Sequence, residues 1–96
     1  MQQHPELKFE SDCFYLGESR EEALAIIEWR YVAEKVIDVN HTFVSESLRG
    51  QGIAQKLVEA VLELARQDNL KIIPSCSYVD KYLAKHEAEC HGLRHQ

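Results

Sequence analysis

Arg49-Gly50-Gln51-Gly52-Ile53-Ala54 stands between a β-like run, Val36 to Val44, and an amphipathic run that ends near Asp68. Two glycines bracketing one residue, placed where a helix begins, let the backbone come close to a ligand. The first helical turn offers unpaired N–H groups and the positive end of the helix dipole. Together these features favour a bound anion, most often a phosphate or pyrophosphate. Taken alone, Gly50 and Gly52 fit a plain tight loop equally well, because short glycine motifs recur by chance. The flanking elements decide between the two.

Downstream, Ile53, Ala54, Leu57, Val58, Val61, Leu64 and Ala65 fall on one arc of a helical wheel. Gln55, Lys56, Glu59, Glu63, Arg66 and Gln67 lie opposite, a period near 3.6. Asp68-Asn69 ends this helix, and Lys71 to Cys76 reads as a strand. Strand, helix and strand in this order imply a right-handed crossover between parallel strands. Upstream, Cys13 to Gly17 reads as a short strand able to pair with Leu7 to Glu10, and Glu18 to Glu22 as a turn. Ala23, Ala25, Ile27, Trp29 and Tyr31 alternate with polar residues, as in a half-buried strand over Ala23 to Val32. The short Ala33-Glu34-Lys35 connection makes the next pairing antiparallel. On the Val36 to Val44 strand, Ile37, Val39, His41 and Phe43 are expected on one face. A second helix is expected from about Tyr78 to Glu87, followed by a polar, His-rich tail. The fold class is thus α/β, or α+β with a mixed sheet: antiparallel N-terminal strands, a β-α-β crossover and a C-terminal helix.

Ninety-six residues leave room for one core, so we expect a single domain over 1–96 with its core at about 7–87 and a frayed tail over 88–96. The hydrophobic fraction of 45% is ordinary for a globular chain. No apolar run approaches the ~20 residues that span a bilayer. Met1 to Glu6 carries no basic and apolar signal segment, and Cys13, Cys76 and Cys90 cannot all pair within one chain. Both observations point to a reducing, cytoplasmic setting and away from membranes. A net charge of −5 argues against a broad nucleic-acid surface and weakly favours cationic acceptors such as amines.

The pattern Arg49, Gly52 and Ala54, and the wider segment Leu48-Arg-Gly-Gln-Gly-Ile-Ala-Gln-Lys-Leu-Val58, resemble the coenzyme A signature of the GNAT acetyltransferase superfamily. More narrowly, the chain is similar to very short GNAT-like proteins that carry an Ile-Pro-Ser-Cys strand end, here Ile73-Pro74-Ser75-Cys76. The resemblance runs over roughly residues 7 to 87. It implies a minimal GNAT-like fold that binds acetyl-CoA and passes the acetyl group to an amine. Pyrophosphate would rest on Arg49, Gly50, Gln51, Gly52, Ile53 and Ala54, and the pantetheine arm would pair with the backbone at Phe43 and Val44. N–H groups near Val44 would polarise the thioester carbonyl. The Arg49 side chain either touches phosphate or pairs with a local carboxylate such as Glu46. In this family the fourth and fifth strands part at their ends, which would accommodate Pro74, a residue with no N–H for a ladder.

His41 and Cys76 fall at the mouths of those two strands. His41 can take a proton from an attacking amine, or be a hydrogen-bonded histidine on an apolar face. Cys76 can accept the acetyl group as a thiolate beside a helix N-terminus, or simply fill space. The resemblance adds a tyrosine that protonates the departing coenzyme thiolate. Tyr82 matches the family position better than Tyr78, and either can instead pack against the sheet. Cys76, His86, Cys90 and His91 include zinc-type kinds, but no Cys-x-x-Cys pair is present and no metal is assigned. Lys81, Lys85 and His86 read as a solvated helix face, or as a contact for the adenosine 3′-phosphate.

Full-length members have a helical arm near the first strands and extra strands after the fifth. Here Gly17 to Ala23 leaves space for a turn only. The coenzyme half is present and the acceptor half is missing. That leaves open a protein lysine or N-terminus, a polyamine, or another subunit as acceptor, and leaves a non-catalytic acyl-coenzyme A sensor as the alternative to an enzyme. An exposed sheet edge permits a homodimer as well as a monomer.

Overall fold

A computed structural model describes residues 7–95. Met1 to Glu6, where the absence of a signal segment was read, and Gln96 lie outside the described residues. The chain forms β1 (Lys8–Glu10), β2 (Cys13–Leu16), β3 (Ala25–Ala33), β4 (Val36–Val44), a 3-10 turn (Glu46–Leu48), α1 (Ile53–Asp68), β5 (Lys71–Ile73) and α2 (Ser77–Lys85). One sheet holds the strands in the order β1-β2-β3-β4-β5. The first four are antiparallel neighbours, and β5 lies parallel to β4 through the α1 crossover. This is the mixed-sheet α+β arrangement expected from the sequence.

α1 packs across β2, β3 and β4. Its buried residues are Leu57, Val58, Ala60, Val61, Leu62 and Ala65, a wider stripe than the sequence arc, which left out Ala60 and Leu62. The reason is that α1 is covered from two sides. The sheet lies beneath it, while α2 and the tail press on its flank: the Tyr82 hydroxyl donates to Glu59 at 3.2 Å and Arg66 donates to the Glu89 carbonyl at 2.8 Å. Ala25, Ile27 and Trp29 of β3, Ile37 and Val39 of β4, Ile72 of β5 and Val79 and Leu83 of α2 join the same core. Fully burying each such aliphatic side chain contributes about 1.5–3 kcal/mol.

The tail is not frayed. Cys90 and Leu93 are buried in the core, and the Ile72 N–H donates to the Leu93 carbonyl at 2.7 Å while the His95 N–H donates to the Ile72 carbonyl at 2.8 Å. Arg94 makes a parallel bridge with Ile72 and an ion pair with Asp80 at 2.8 Å. Two apolar residues three apart in a polar stretch give no periodic signal, yet they suffice once the free edge of β5 is there to receive the backbone.

One further boundary and the regularity of one strand differ. β5 ends at Ile73, not at Cys76, because Pro74 has no N–H to continue the ladder. β4 is not a regular strand. Trp29 pairs with Val39 but Glu28 pairs with His41, so Asn40 is an extra residue and the strand carries a β-bulge. Trp29 and Val39 face α1. Glu28, the neighbour of Trp29, therefore faces the other way, and His41 and Phe43 go with it. The expected common face of Ile37, Val39, His41 and Phe43 is split: Ile37 and Val39 are fully buried, whereas His41 and Phe43 lie exposed on the opposite face.

That opposite face carries no helix among the described residues. At one end the β2–β3 loop folds back over it. Leu24 N–H donates to the Leu16 carbonyl at 2.7 Å, and Arg20 reaches Asp12 at 2.6 Å, Glu28 at 2.9 Å and Glu10 at 3.7 Å. Beneath it Cys13, Tyr15 and Ile26 form a small second cluster. Burial pushes the Cys13 thiol up, with the Arg20 charge pulling the other way. Ile26 is buried here although the β3 alternation marks it as outward-facing.

Candidate functional site

Where β4 runs past the end of β5, it loses its partner on one edge. Val36, Ile37 and Asp38 pair with Lys71, Ile72 and Ile73. The last link is the Cys76 N–H donating to the Val39 carbonyl at 2.9 Å. From Asn40 to Val44 no described strand lines that side, so the edge is open where the two strands part.

The glycine loop closes the far end of this opening. Gly52 is the N-cap of α1 with φ of 74° and no side-chain cap. Gly50 has φ of 84°, and a Cβ at either glycine would meet nothing within 4 Å. The first N–H inside the helix to find a carbonyl is that of Lys56, on Gly52. The N–H groups of Ile53, Ala54 and Gln55 precede it and have no partner within the helix. A ledge of free N–H groups at a helix N-terminus, with open space above two left-handed glycines, fits a phosphate or pyrophosphate.

Val44, Arg49, Gly50, Gly52, Ile53 and Ala54 meet around one cavity of about 170 Å³, together with Leu48 and Tyr78. Of the expected coenzyme residues, Phe43 and Gln51 do not line it. Phe43 is turned to the open face by the bulge, and Gln51 reaches back towards the Ser47 carbonyl at 3.4 Å. Arg49 pairs with no carboxylate among the described residues. Its Nε donates to the Val44 carbonyl at 3.2 Å, which ties the loop to the end of β4 and leaves the guanidinium exposed.

The expected reactive residues are separated by the fold. Cys76 is the N-cap of α2, with no side-chain cap bond. Its thiol lies 3.4 Å from the Thr42 hydroxyl and donates to it. His41 lies on the opposite face of β4, opposite Glu28. Tyr82 stacks on His86 with ring centroids 4.1 Å apart and donates to Glu59. Burial, then the Glu59 charge, pushes its hydroxyl up to about 12. Tyr78, not Tyr82, is the tyrosine beside the loop cavity. Thr42 escaped the sequence reading because nothing but Asn40, a poor strand former amid β-branched residues, hints at a bulge.

A larger cavity of about 590 Å³ lies between β5, α2 and the tail, away from the loop, lined by Lys71, Leu83, Cys90, His91, Arg94 and His95 among others. Its cations are already engaged: Lys71 donates to the Gly92 carbonyl and Arg94 to Asp80. Burial pushes the Cys90 thiol up, away from reactivity. Among the described residues no group of three His, Cys, Asp or Glu could hold a metal ion. No described helix is long and apolar enough to cross a membrane.

The arrangement has clear relatives. A GCN5-like protein of Staphylococcus aureus, solved by NMR, superposes with a TM-score of 0.74 at 41% identity, covering 94% of this chain and 87% of its own. The proteins named NATD1 of Homo sapiens and Gallus gallus are 36% identical over 59 residues, 62% of this chain. The matched stretch spans about half of those relatives, 52% and 54% of their lengths. A GNAT family acetyltransferase of Elizabethkingia anophelis, solved with acetyl-CoA bound, shares the fold at a TM-score of 0.54 and 18% identity, over 78% of this chain and 51% of its own. The family model described as GCN5-related N-acetyl-transferase matches residues 13–92, from the first residue of β2 into the packed tail, and this chain belongs to that family.

Proposed function

We propose that the protein binds acetyl-CoA along the open edge of β4 and transfers the acetyl group to an amine, with Cys76 as the first acceptor. The observation that carries this reading is the unpaired strand edge from Asn40 to Val44, which meets the N–H ledge of α1 at Val44 and holds Cys76 through Val39 and Thr42. Bound acetyl-CoA supplies an activated acyl group. The chain's residues do the rest. Ile53, Ala54 and Gln55 hold the pyrophosphate through their N–H groups, with no Cβ on Gly50 or Gly52 to keep it away. The Thr42 backbone and the Val44 N–H are available to an extended pantetheine as a missing strand would be, the Val44 carbonyl being held by Arg49. The Cys76 thiolate attacks the acyl carbon. Its bond to that carbon forms as the bond to the coenzyme sulfur breaks, and the coenzyme leaves as a thiolate that takes up a proton. The Tyr82 hydroxyl is held by Glu59, so Tyr78 is the freer of the two tyrosines to give that proton. An amine then attacks the cysteine thioester and gives up its proton to solvent; His41, on the opposite face of β4, is turned away from that sulfur.

A second reading is favoured by the loop between β2 and β3. It covers only the end of the open face, so none of the described residues encloses an acceptor. A module that binds acyl-coenzyme A, acetylates itself at Cys76 and turns over slowly or not at all fits that geometry. Incubation with acetyl-CoA, read by intact mass alongside calorimetric titration, tests both. Binding with one acetyl adduct that is lost in Cys76→Ala and released by amines supports the transferase. A lasting adduct supports the sensor. Failure to bind overturns both.

A further inference from the structure

We infer that Thr42 is the residue that positions the Cys76 sulfur and steadies its anion, a role that rests on the acyl transfer proposed above. The bulge at Asn40 brings this about. In an unbroken strand starting from buried Ile37 and Val39, the residue presented on the same face beyond Val39 would be His41. Asn40 adds one residue, so Thr42 takes that place and His41 is turned away. Cys76 is pinned beside it at two points, the N–H on the Val39 carbonyl at 2.9 Å and the thiol on the Thr42 hydroxyl at 3.4 Å. Thr42 and Cys76 are both only part-buried, so reagents and an acyl thioester have access.

A threonine hydroxyl has one proton and two lone pairs, and it turns about its C–O bond. With the thiol protonated, Thr42 accepts from it, as in this structure. Once the proton leaves to solvent, the hydroxyl rotates and donates to the sulfur anion. A hydrogen bond to an ion is the stronger of the two, so the pair favours the reactive form. When the sulfur takes the acetyl group its charge is lost and that extra strength goes with it. The pair thus favours the nucleophile over the product. The other titratable groups on the elements around Cys76 are Tyr78, Asp80, Lys81, Tyr82 and Lys85 on α2, Lys71 on β5, and His41 and Asp38 on β4, the last two facing away from the thiol. A change at Thr42 leaves all of them in place.

The test is the rate at which iodoacetamide alkylates Cys76 in the full chain from about pH 6 to 10, followed by peptide mass. Cys13 and Cys90 are buried and serve as internal references. Thr42→Val keeps the branched shape and removes the hydroxyl. It is expected to slow alkylation roughly threefold at neutral pH, because losing one hydrogen bond to a charged group cuts the thiolate fraction about tenfold while the more basic anion is roughly threefold more reactive. The profile moves to higher pH with a plateau raised roughly threefold, and Thr42→Ser restores the wild-type curve. Thr42→Ala repeats the loss with less bulk. A Thr42→Val curve that overlays wild type, or one lowered by the same factor at every pH, overturns the inference, because the latter reports access and packing alone. This measurement needs no coenzyme. If wild type fails to bind acetyl-CoA the transfer reading falls, and alkylation still decides whether Thr42 governs the thiol. If wild type binds and is acetylated, Thr42→Val compared at saturating acetyl-CoA must be acetylated about as much more slowly as it is alkylated; equal rates count against the inference.

Discussion

The two halves of β4 have the same number of strand formers, Val36, Ile37 and Val39 before the bulge and Thr42, Phe43 and Val44 after it, and opposite fates. Before the bulge, Ile37 and Val39 are fully buried, with β3 on one side, β5 on the other and helices above. After it, β3 alone remains, Phe43 is 42% exposed, and the other edge is open. The first half is where apolar area leaves water and stability is gained. The second half keeps its hydrogen-bonding groups free, which costs stability and makes a ligand possible. One inserted residue, Asn40, and one proline, Pro74, separate the two.

The largest effect comes from attacking the first half. Ile37→Ala is expected to cost about 2–5 kcal/mol, the range for a core isoleucine, a large share of what a domain of this size has. Urea denaturation reads it, and coenzyme binding should fall only as far as the folded fraction does. Deleting Asn40 breaks the comparison itself. The Glu28–His41 and Trp29–Val39 pairs become successive, the strand straightens, and the bend that carries it away from β5 is lost. The deletion should stay folded within about 1–2 kcal/mol, as for ordinary point changes, and lose coenzyme affinity by at least about tenfold, worth ~1.4 kcal/mol. Unchanged affinity would show that the bulge does not make the opening.

Gly52→Ala sharpens the second half. Nothing crowds the new Cβ, so the stability cost is the left-handed backbone alone, about 1–2 kcal/mol. Calorimetry should show affinity falling by more than that cost explains, because the methyl group stands where the pyrophosphate would lie. Alkaline titration probes the helix-covered side. Tyr82 ionises at its ordinary 10.0 when unfolded and near 12 when folded, through burial and then Glu59. Its contribution is therefore complete below pH 10 and is lost as pH rises towards 12, since the unfolded chain gives up its proton first. Thermal melts should fall more gently over that window in Tyr82→Phe. The smallest effect belongs to Phe43→Thr, which trades one strand former for another on the open face and should stay within about 0.5 kcal/mol.

The sequence carried element order well because each element announces itself locally. α1 has a clean 3.6 period, β3 alternates, and two glycines mark the loop where α1 begins. It misplaced His41 because a bulge is a mismatch between two strands, and a single strand holds no record of its partner's register. It missed the tail because Cys90 and Leu93 are buried by contacts far along the chain, not by their neighbours. Tyr82 was chosen over Tyr78 by likeness of position, whereas the fold gives Tyr82 to Glu59 and Tyr78 to the loop.

The order of strands and helices, the crossover and the glycine loop were settled by the sequence alone, since periodicity, turn residues and φ preferences are properties of short stretches. The tertiary structure alone decided which residue stands beside Cys76. That depends on register between β3 and β4 and on where β5 stops, and both are fixed only when distant segments compete for the same hydrogen bonds and the same buried face.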